Sequence, residues 1–385
     1  TLGRGAADMA PFSNRSRANG RSFDDRIVPD FGCGIASPTM TPPPPDRTPP
    51  PARLVSGGQF AFGTYDAPVP EVNLLDRWSG PARAFHASRL KEWQAFQLMN
   101  EHWFVLGAVY DAKLLGLVQI VAVEQRSGTV HRFEHKVPSA RLRVAQGLEH
   151  TQSQGRSHGL TVTFTNSLRS GRLRVTAQQE ARRGVAPMTL DVAGSCALGE
   201  AGHLVICHPF PDGTPLYSNK CMMPADGALT LGEEHVEFAD GDAVLILDDH
   251  KGHYPSPMKY DWVTAAGRDG TGRVVGFNLT DNQVRNPDVY NENALWVGDE
   301  VHRLGAVTFE RPKGVHGPWR VRDRLGQVDV TFEPTVRNEQ HVGPRSFLVD
   351  YYGPFGRYSG EIDTGAARLT VDNMFGMGEQ KRIRV

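Results

Sequence analysis

Leu160-Thr161-Val162-Thr163-Phe164 alternates apolar and polar side chains residue by residue. Successive side chains of an extended chain point to opposite sides, so this stretch gives a sheet one apolar and one polar face. Val328-Asp329-Val330-Thr331-Phe332-Glu333 repeats the pattern, and Leu173 and Val175 alternate with Arg172, Arg174 and Thr176. Residues 204–207, 244–247, 274–277 and 304–309 are more uniformly apolar. They predict strands covered on both faces, or strands lining an apolar cavity. Turn formers separate these runs: Pro211-Asp212-Gly213, Asp240-Gly241-Asp242, Asp269-Gly270-Thr271-Gly272 and Asp363-Thr364-Gly365. An all-β sandwich or barrel follows. One short helix is predicted over residues 88–100, where Leu90, Trp93, Phe96 and Leu98 form a rough apolar face.

Composition narrows the function classes. The 385 residues carry 42 Lys+Arg against 43 Asp+Glu, a formal charge of -1. That balance argues against a nucleic-acid partner held by bulk electrostatics. The longest apolar run of interest, residues 114–123, is interrupted by Gly116 and Gln119 and reads as a strand, so no membrane span is expected. Cys33, Cys196, Cys207 and Cys221 have no CxxC or zinc-finger spacing. A disulfide scaffold is therefore excluded, and a reducing compartment, cytoplasmic or organellar, is the default.

Residues 1–53 stand apart. Pro42-Pro43-Pro44-Pro45 and Pro49-Pro50-Pro51 predict a stiff, solvated polyproline spacer within a disordered leader. Arg15, Arg17 and Arg21 among serines raise the alternative of an organelle transit peptide, against which Asp8, Asp24 and Asp25 count. The remainder divides into two comparable β domains, 54–215 and 216–385.

The densest chemistry follows the apolar strand at 244–247: Asp248-Asp249-His250-Lys251-Gly252-His253-Tyr254-Pro255, then Tyr260-Asp261-Trp262. Titratable groups at the end of a buried strand sit where a barrel aims them into a cavity. Asp248, His250, His253, Tyr254 and Asp261 are the candidate catalytic residues, with proton transfer as their chemistry. Desolvation beside Trp262 would raise a carboxyl toward the range that a general acid needs. The alternative is a polar loop of solvated acids and turn caps. His250 and His253 also form an HxxH-like set, but no second His/Cys cluster supports zinc, so no metal is expected.

Two further stretches supply candidate binding residues. Gly276-Phe277-Asn278-Leu279-Thr280, Asn291-Glu292-Asn293 and Trp296 offer amides that could orient a polar head group. Tyr351-Tyr352-Gly353-Pro354-Phe355 and the later Glu361 and Glu379 suggest tight bends beside a cavity wall. Tyr260, Trp262, Asn278, Trp296, Tyr352, Phe355, Glu361 and Glu379 are thus the candidate substrate contacts. Turn caps and ordinary barrel packing are the competing roles. No GxGxxG turn, P-loop or GxSxG elbow is present, so no cofactor is expected.

Taken together, Gly252-His253-Tyr254-Pro255, Tyr260-Asp261-Trp262, Gly276-Phe277-Asn278-Leu279-Thr280, Asn293-Ala294-Leu295-Trp296 and Gly376-Met377-Gly378-Glu379 resemble the family catalogued as domain of unknown function 2804. Arg89-Leu90-Lys91-Glu92-Trp93 resembles its N-terminal part, and the likeness covers roughly residues 60–380. That family is similar to lipocalin-like (calycin-type) two-barrel proteins, including carotenoid hydratases and tocopherol cyclase. The resemblance implies tandem barrels with a cavity for an apolar molecule. It also implies an Asp-led acid that protonates an alkene, for which Asp248 or Asp261 would serve, and aromatic walls from Tyr254, Tyr260 or Trp262.

The expected function is a cofactor-independent lyase or isomerase, hydratase- or cyclase-like, acting on a hydrophobic small molecule. A lipid or pigment carrier without turnover is the first alternative. A carbohydrate-active protein is the second: it would need its two carboxylates about 5 Å apart if retaining, or about 6.5–9.5 Å apart if inverting.

Overall fold

Antiparallel pairing organises the computed structural model, which describes residues 46–195, 202–343 and 348–384. Pro42–Pro45 and the arginines of the proposed transit peptide lie outside the described residues, as do Cys33 and Cys196. Residues 46–53, placed in the leader by composition, are folded. Arg47 Nη1 donates to His203 O at 2.7 Å, and Thr48 bridges to Tyr65.

The all-β expectation holds. Among the described residues there are two large sheets, of 13 and 11 strands, and one α-helix. The first sheet curls into a near-barrel. Its centre is Trp103–Asp111, Lys91–Met99, Glu234–Gly252 and Pro215–Leu231, in that spatial order. The second sheet forms a half-barrel around Ala294–Val297, Val274–Asp281, Met258–Arg268, Arg368–Arg384 and Phe355–Asp363. Residue 215 begins a strand of the first sheet, and the chain passes to the second sheet between Gly252 and Met258.

Side-chain parity explains the cores. Along Glu234–Gly252, Leu245 and Leu247 turn into the near-barrel, against Phe96, Val105, Val118 and Phe164. Val244 and Ile246 turn the other way, onto the second sheet. There they meet Phe104, Met222, Trp262, Phe355, Phe375 and Met377 in a seam between the sheets. The half-barrel has its own filling of Val263, Phe277, Trp319, Phe332 and Tyr358. Strands of the seam are therefore covered on both faces, as their continuous apolar runs require.

The helix is displaced from its predicted place. It spans Gly80–Arg89, and Lys91–Met99 is a strand. In that strand Phe96 and Leu98 enter the near-barrel, while Met99 enters the seam. With both faces buried, the period-two signal disappears and the remaining spacing imitates a helical face. Asp240-Gly241-Asp242 likewise does not divide two strands. It bends one, with Gly241 at φ +64 and its N–H donating to Asp226 Oδ1 at 2.6 Å. Gly227 and Gly360 mark a register shift in each sheet at φ +145 and +131. A Cβ at Gly227 would stand 2.1 Å from Asp191 O, and one at Gly360 2.2 Å from Asp329 O, so only glycine fits.

Phe355, a candidate substrate contact, packs in the seam with its ring 5.3 Å from that of Phe104. Phe355→Ala is expected to cost about 3–5 kcal/mol of stability. Chemical denaturation measures it, and a loss below about 1 kcal/mol would contradict the seam assignment.

Candidate active site

The seam turns polar at one end. Beyond Val244 and Ile246, the same face of Glu234–Gly252 presents Asp248 and His250. In antiparallel register Asp248 lies opposite Lys220 and Ala95, and His250 opposite Ser218 and Trp93. Lys220 continues the seam-facing parity of Leu216 and Met222. These titratable groups thus occupy the seam between the sheets, whereas the two barrel interiors are filled mainly by apolar side chains, the first also holding a buried hydrogen-bonded group of Gln94, Asn166 and Ser153.

Four charged groups converge there. Lys220 Nζ bonds Asp248 Oδ1 and stands 3.7 Å from Glu292 Oε2. His250 Nε2 lies 3.0 Å from Asp248 Oδ1, 3.4 Å from Glu292 Oε2 and 2.9 Å from Ser218 Oγ. All four are buried or nearly so, with side-chain exposures of 4, 14, 8 and 3% for Lys220, Asp248, His250 and Glu292. Two cations and two anions balance, which is what makes burial tolerable. Burial alone would raise both acids. The Lys220 and His250 charges overcome it, holding Asp248 well below the carboxylate range and Glu292 down at about 2. Burial would lower His250, but the facing Asp248 and Glu292 raise it above its ordinary value. The two carboxylates favour the imidazolium form of His250, against Lys220 Nζ at 3.2 Å from Nε2, and leave Nδ1 to act elsewhere.

That second nitrogen, Nδ1, is 3.1 Å from Tyr254 Oη. Trp93 stacks flat on the His250 ring at 4.5 Å and donates its indole N–H to Asp248 Oδ2 at 3.3 Å. Burial and the nearby carboxylates push the Tyr254 phenol well above its ordinary value, so it keeps its proton.

Outside this quartet is a half-buried aromatic rim of Trp93, Tyr110, Tyr254, Tyr260 and Tyr351. Lys381 lies among these rings and donates to Tyr260 Oη at 3.0 Å. Glu379 accepts from Tyr351 Oη at 2.6 Å. Trp262 forms part of the floor, 5.4 Å from Lys220 Nζ, and its indole N–H donates to Asn278 Oδ1 at 2.6 Å. Asn278 in turn donates to Glu292 O at 2.7 Å, and Asn282 to Glu292 Oε1 at 3.2 Å. The asparagine-rich stretch thus holds the loop that carries Glu292.

The structure brings together Asp248, His250, Tyr254, Tyr260, Trp262, Asn278 and Glu379 from the predicted set. Others lie elsewhere. His253 leaves the seam and packs edge-on to Trp78 and His86, with Nε2 3.1 Å from His86 O. Burial lowers it to about 4, so it is neutral there. Asp261 has the opposite parity to Tyr260 and Trp262 and pairs with Arg311 at 2.7 Å, beside the half-barrel core. Tyr352 alternates with Tyr351 and stacks near His316 and His341 instead. Glu361 is half-buried and paired with Arg368, away from the seam. Trp296 is buried in the seam, its N–H donating to Gly202 O at 2.7 Å. Sequence reasoning did not select Lys220, Lys381, Trp93, Tyr110 and Tyr351. The one readable signal was Lys220, a lysine inside the apolar run Leu216-Tyr217-Ser218-Asn219-Lys220-Cys221-Met222-Met223.

The chain belongs to the family described as Domain of unknown function (DUF2804), which matches residues 48–385. Among solved structures it is similar to CghA in a crystal structure with Sch210972. The identity is 14% over 77% of this chain and 89% of that one, with a TM-score of 0.50. It is also similar to kievitone hydratase from Nectria haematococca, 12% identical over 76% of this chain and 88% of that one, with a TM-score of 0.46. Both are lipocalin-like barrel proteins, and at this identity the likeness to CghA establishes the shared fold. No curated protein is similar enough to the chain to match it. No helix among the described residues is long and apolar enough to cross a membrane.

Because Glu292 is held at about 2 in the fold against an ordinary 4.5, its contribution to stability is complete above 4.5 and is lost as pH falls toward 2. Glu292→Gln is expected to flatten the acid limb of the stability–pH curve across that window, by on the order of 3 kcal/mol. Urea titrations at stepped pH measure this. An unchanged acid slope in the variant would contradict the paired state of Glu292.

Proposed function

We propose that this protein is a cofactor-independent lyase or isomerase that moves protons on an apolar small molecule lying against the aromatic rim. The observation that carries this reading is the 3.1 Å contact between His250 Nδ1 and Tyr254 Oη, with Asp248 and Glu292 bracing the far side of the imidazole.

The chemistry follows from the charges. An imidazolium N–H donating to the Tyr254 oxygen leaves the phenol hydrogen pointed at a ligand. When Tyr254 protonates the substrate, the developing phenolate sits beside a cation already in place. The Tyr254 phenolate, held beside the His250 cation, then takes a proton from a neighbouring position of the substrate, so both residues end as they began. The Asp248 and Glu292 carboxylates fix the ring and keep it charged, acting as positioning groups with no contact to substrate. The Asp-led acid implied by the family resemblance is thereby replaced: Asp248 is held ionised by Lys220, and Tyr254 is the donor. Positive charge appearing on the substrate would face the rings of Trp93 and Tyr260, whose π-faces attract cations. A fully solvated cleft would weaken each of these effects, and the seam excludes water from the quartet.

The experiment begins with solvent extraction of the purified full-length protein and mass spectrometry of whatever apolar compound accompanies it. That compound is then incubated with the protein in deuterated buffer. Solvent deuterium at carbon, or a product differing by the elements of water or by a double-bond position, is expected. Tyr254→Phe and His250→Gln are each expected to slow this by about 10²–10⁴-fold with the circular dichroism spectrum retained. Recovery of the compound unchanged and unlabelled would overturn the enzymatic reading in favour of a carrier.

A further inference from the structure

Lys381 differs from Lys220, Lys251 and Lys113, and shares the lack of an ion pair with the half-buried Lys91, whose Nζ donates to Ala112 O at 3.0 Å. Lys220 is paired with Asp248, Lys251 with Asp249 at 2.9 Å, and Lys113 with Glu92 and Asp111. Lys381 has no carboxylate within ion-pair distance among the described residues; Glu379, nearest on its own strand face, is occupied by Tyr351. Its polar contact is the Tyr260 hydroxyl. Its Nζ is instead ringed by Tyr260 at 5.1 Å, Tyr351 at 5.7 Å, Trp93 at 5.9 Å and Tyr110 at 5.9 Å.

The register produces this cage. Within its own sheet Lys381 lies directly opposite Tyr260 on one side and Tyr351 on the other. From the facing sheet comes a second cross-strand pair, Trp93 opposite Tyr110. One amine is thus held at the polar end of the seam by two pairs of rings, half-buried and next to a hydroxyl that can pass a proton.

We propose that Lys381 is a covalent amine nucleophile that condenses with an aldehyde or ketone group of the substrate, holding it as an imine against the aromatic rim. This deepens the acid–base reading above and rests on it for the chemistry that follows condensation. The Nζ lone pair attacks the carbonyl carbon, a C–N bond forms, and the C=O π pair moves to oxygen, which takes the Tyr260 hydroxyl proton. Nitrogen gives up a proton to the Tyr260 oxygen, Tyr260 passes it to the carbinolamine hydroxyl, which leaves as water as the nitrogen lone pair forms C=N, and the Tyr260 oxygen takes up the remaining N–H proton. The sum is carbonyl plus amine giving imine plus water, with no redox partner. The amine must be neutral to attack, and burial lowers Lys381 below its ordinary value against the pull of Glu379 and Asp248. Once the imine is protonated, the cage faces a cation, which four aromatic rings stabilise. The electron-withdrawing iminium then acidifies the neighbouring C–H bonds that an acid–base lyase or isomerase would work on.

The test is reductive trapping of the full-length protein with 3-phenylpropanal and sodium borohydride, followed by peptide mapping. Each unit of pKa lowering makes a lysine about tenfold more available as free amine near neutral pH. Lys381, whose pKa burial lowers, is therefore expected to be labelled faster than the exposed Lys136 and Lys259. Tyr260→Phe is expected to slow labelling at Lys381 and leave the other two lysines unchanged. Labelling of Lys381 no faster than that of Lys136 and Lys259 overturns the proposal, and this result is read on the unmodified sequence, so it does not depend on any variant folding. The outcomes separate the two readings. Failed trapping with deuterium exchange intact removes the amine alone. Trapping at Lys381 with no exchange of the extracted compound removes the acid–base reading.

Discussion

Everything at the candidate site depends on one electrostatic arrangement: two cations and two carboxylates buried together between two sheets. None of the four would be stable there alone, because an unpaired charge in a dry interior costs several kcal/mol after relaxation. Together they cancel. The arrangement fixes more than stability. It favours the charged form of His250, keeps Asp248 and Glu292 ionised, and leaves His250 Nδ1 beside Tyr254.

The seam exists because both sheets bury both faces of their central strands. A single barrel offers one interior. Two curled sheets pressed together offer a third apolar layer, built here by Phe104, Ile246, Phe355, Phe375 and Met377. Side chains that continue these rows past the apolar part form the polar end of the seam. Asp248 and His250 extend the row of Val244 and Ile246, and Glu379 and Lys381 extend that of Phe375 and Met377. The polar end of the seam is therefore wired into the core by strand alternation alone, and the functional groups stand on strands, with Tyr254 and Glu292 on short supported loops.

Much of this was legible in the sequence, and the failures have a common cause. Alternation at 160–164, 172–176 and 328–333 gave true strands because one face of each meets water. Residues 88–100 were misread because both faces of Lys91–Met99 are covered. At the site, Asp248, His250 and Tyr254 could be picked together because they are close in the chain. Lys220 and Lys381 could not, since their places follow from cross-strand register with Asp248 and Tyr260. Parity also separates neighbours that sequence proximity had grouped: Asp261 from Tyr260, Tyr352 from Tyr351. A density of titratable residues locates a segment, while only pairing says which half of it faces inward.

The central claim is that the quartet favours the charged form of His250. Nitrogen-15 NMR of the labelled protein, followed from about pH 5 to about pH 9, reads both ring nitrogens directly. The account predicts that the transition of the His250 signals from imidazolium to imidazole lies above pH 6.5, the group's ordinary value, and that Asp248→Asn brings it down. A His250 ring already neutral at pH 6.5 in the unmodified protein would contradict it.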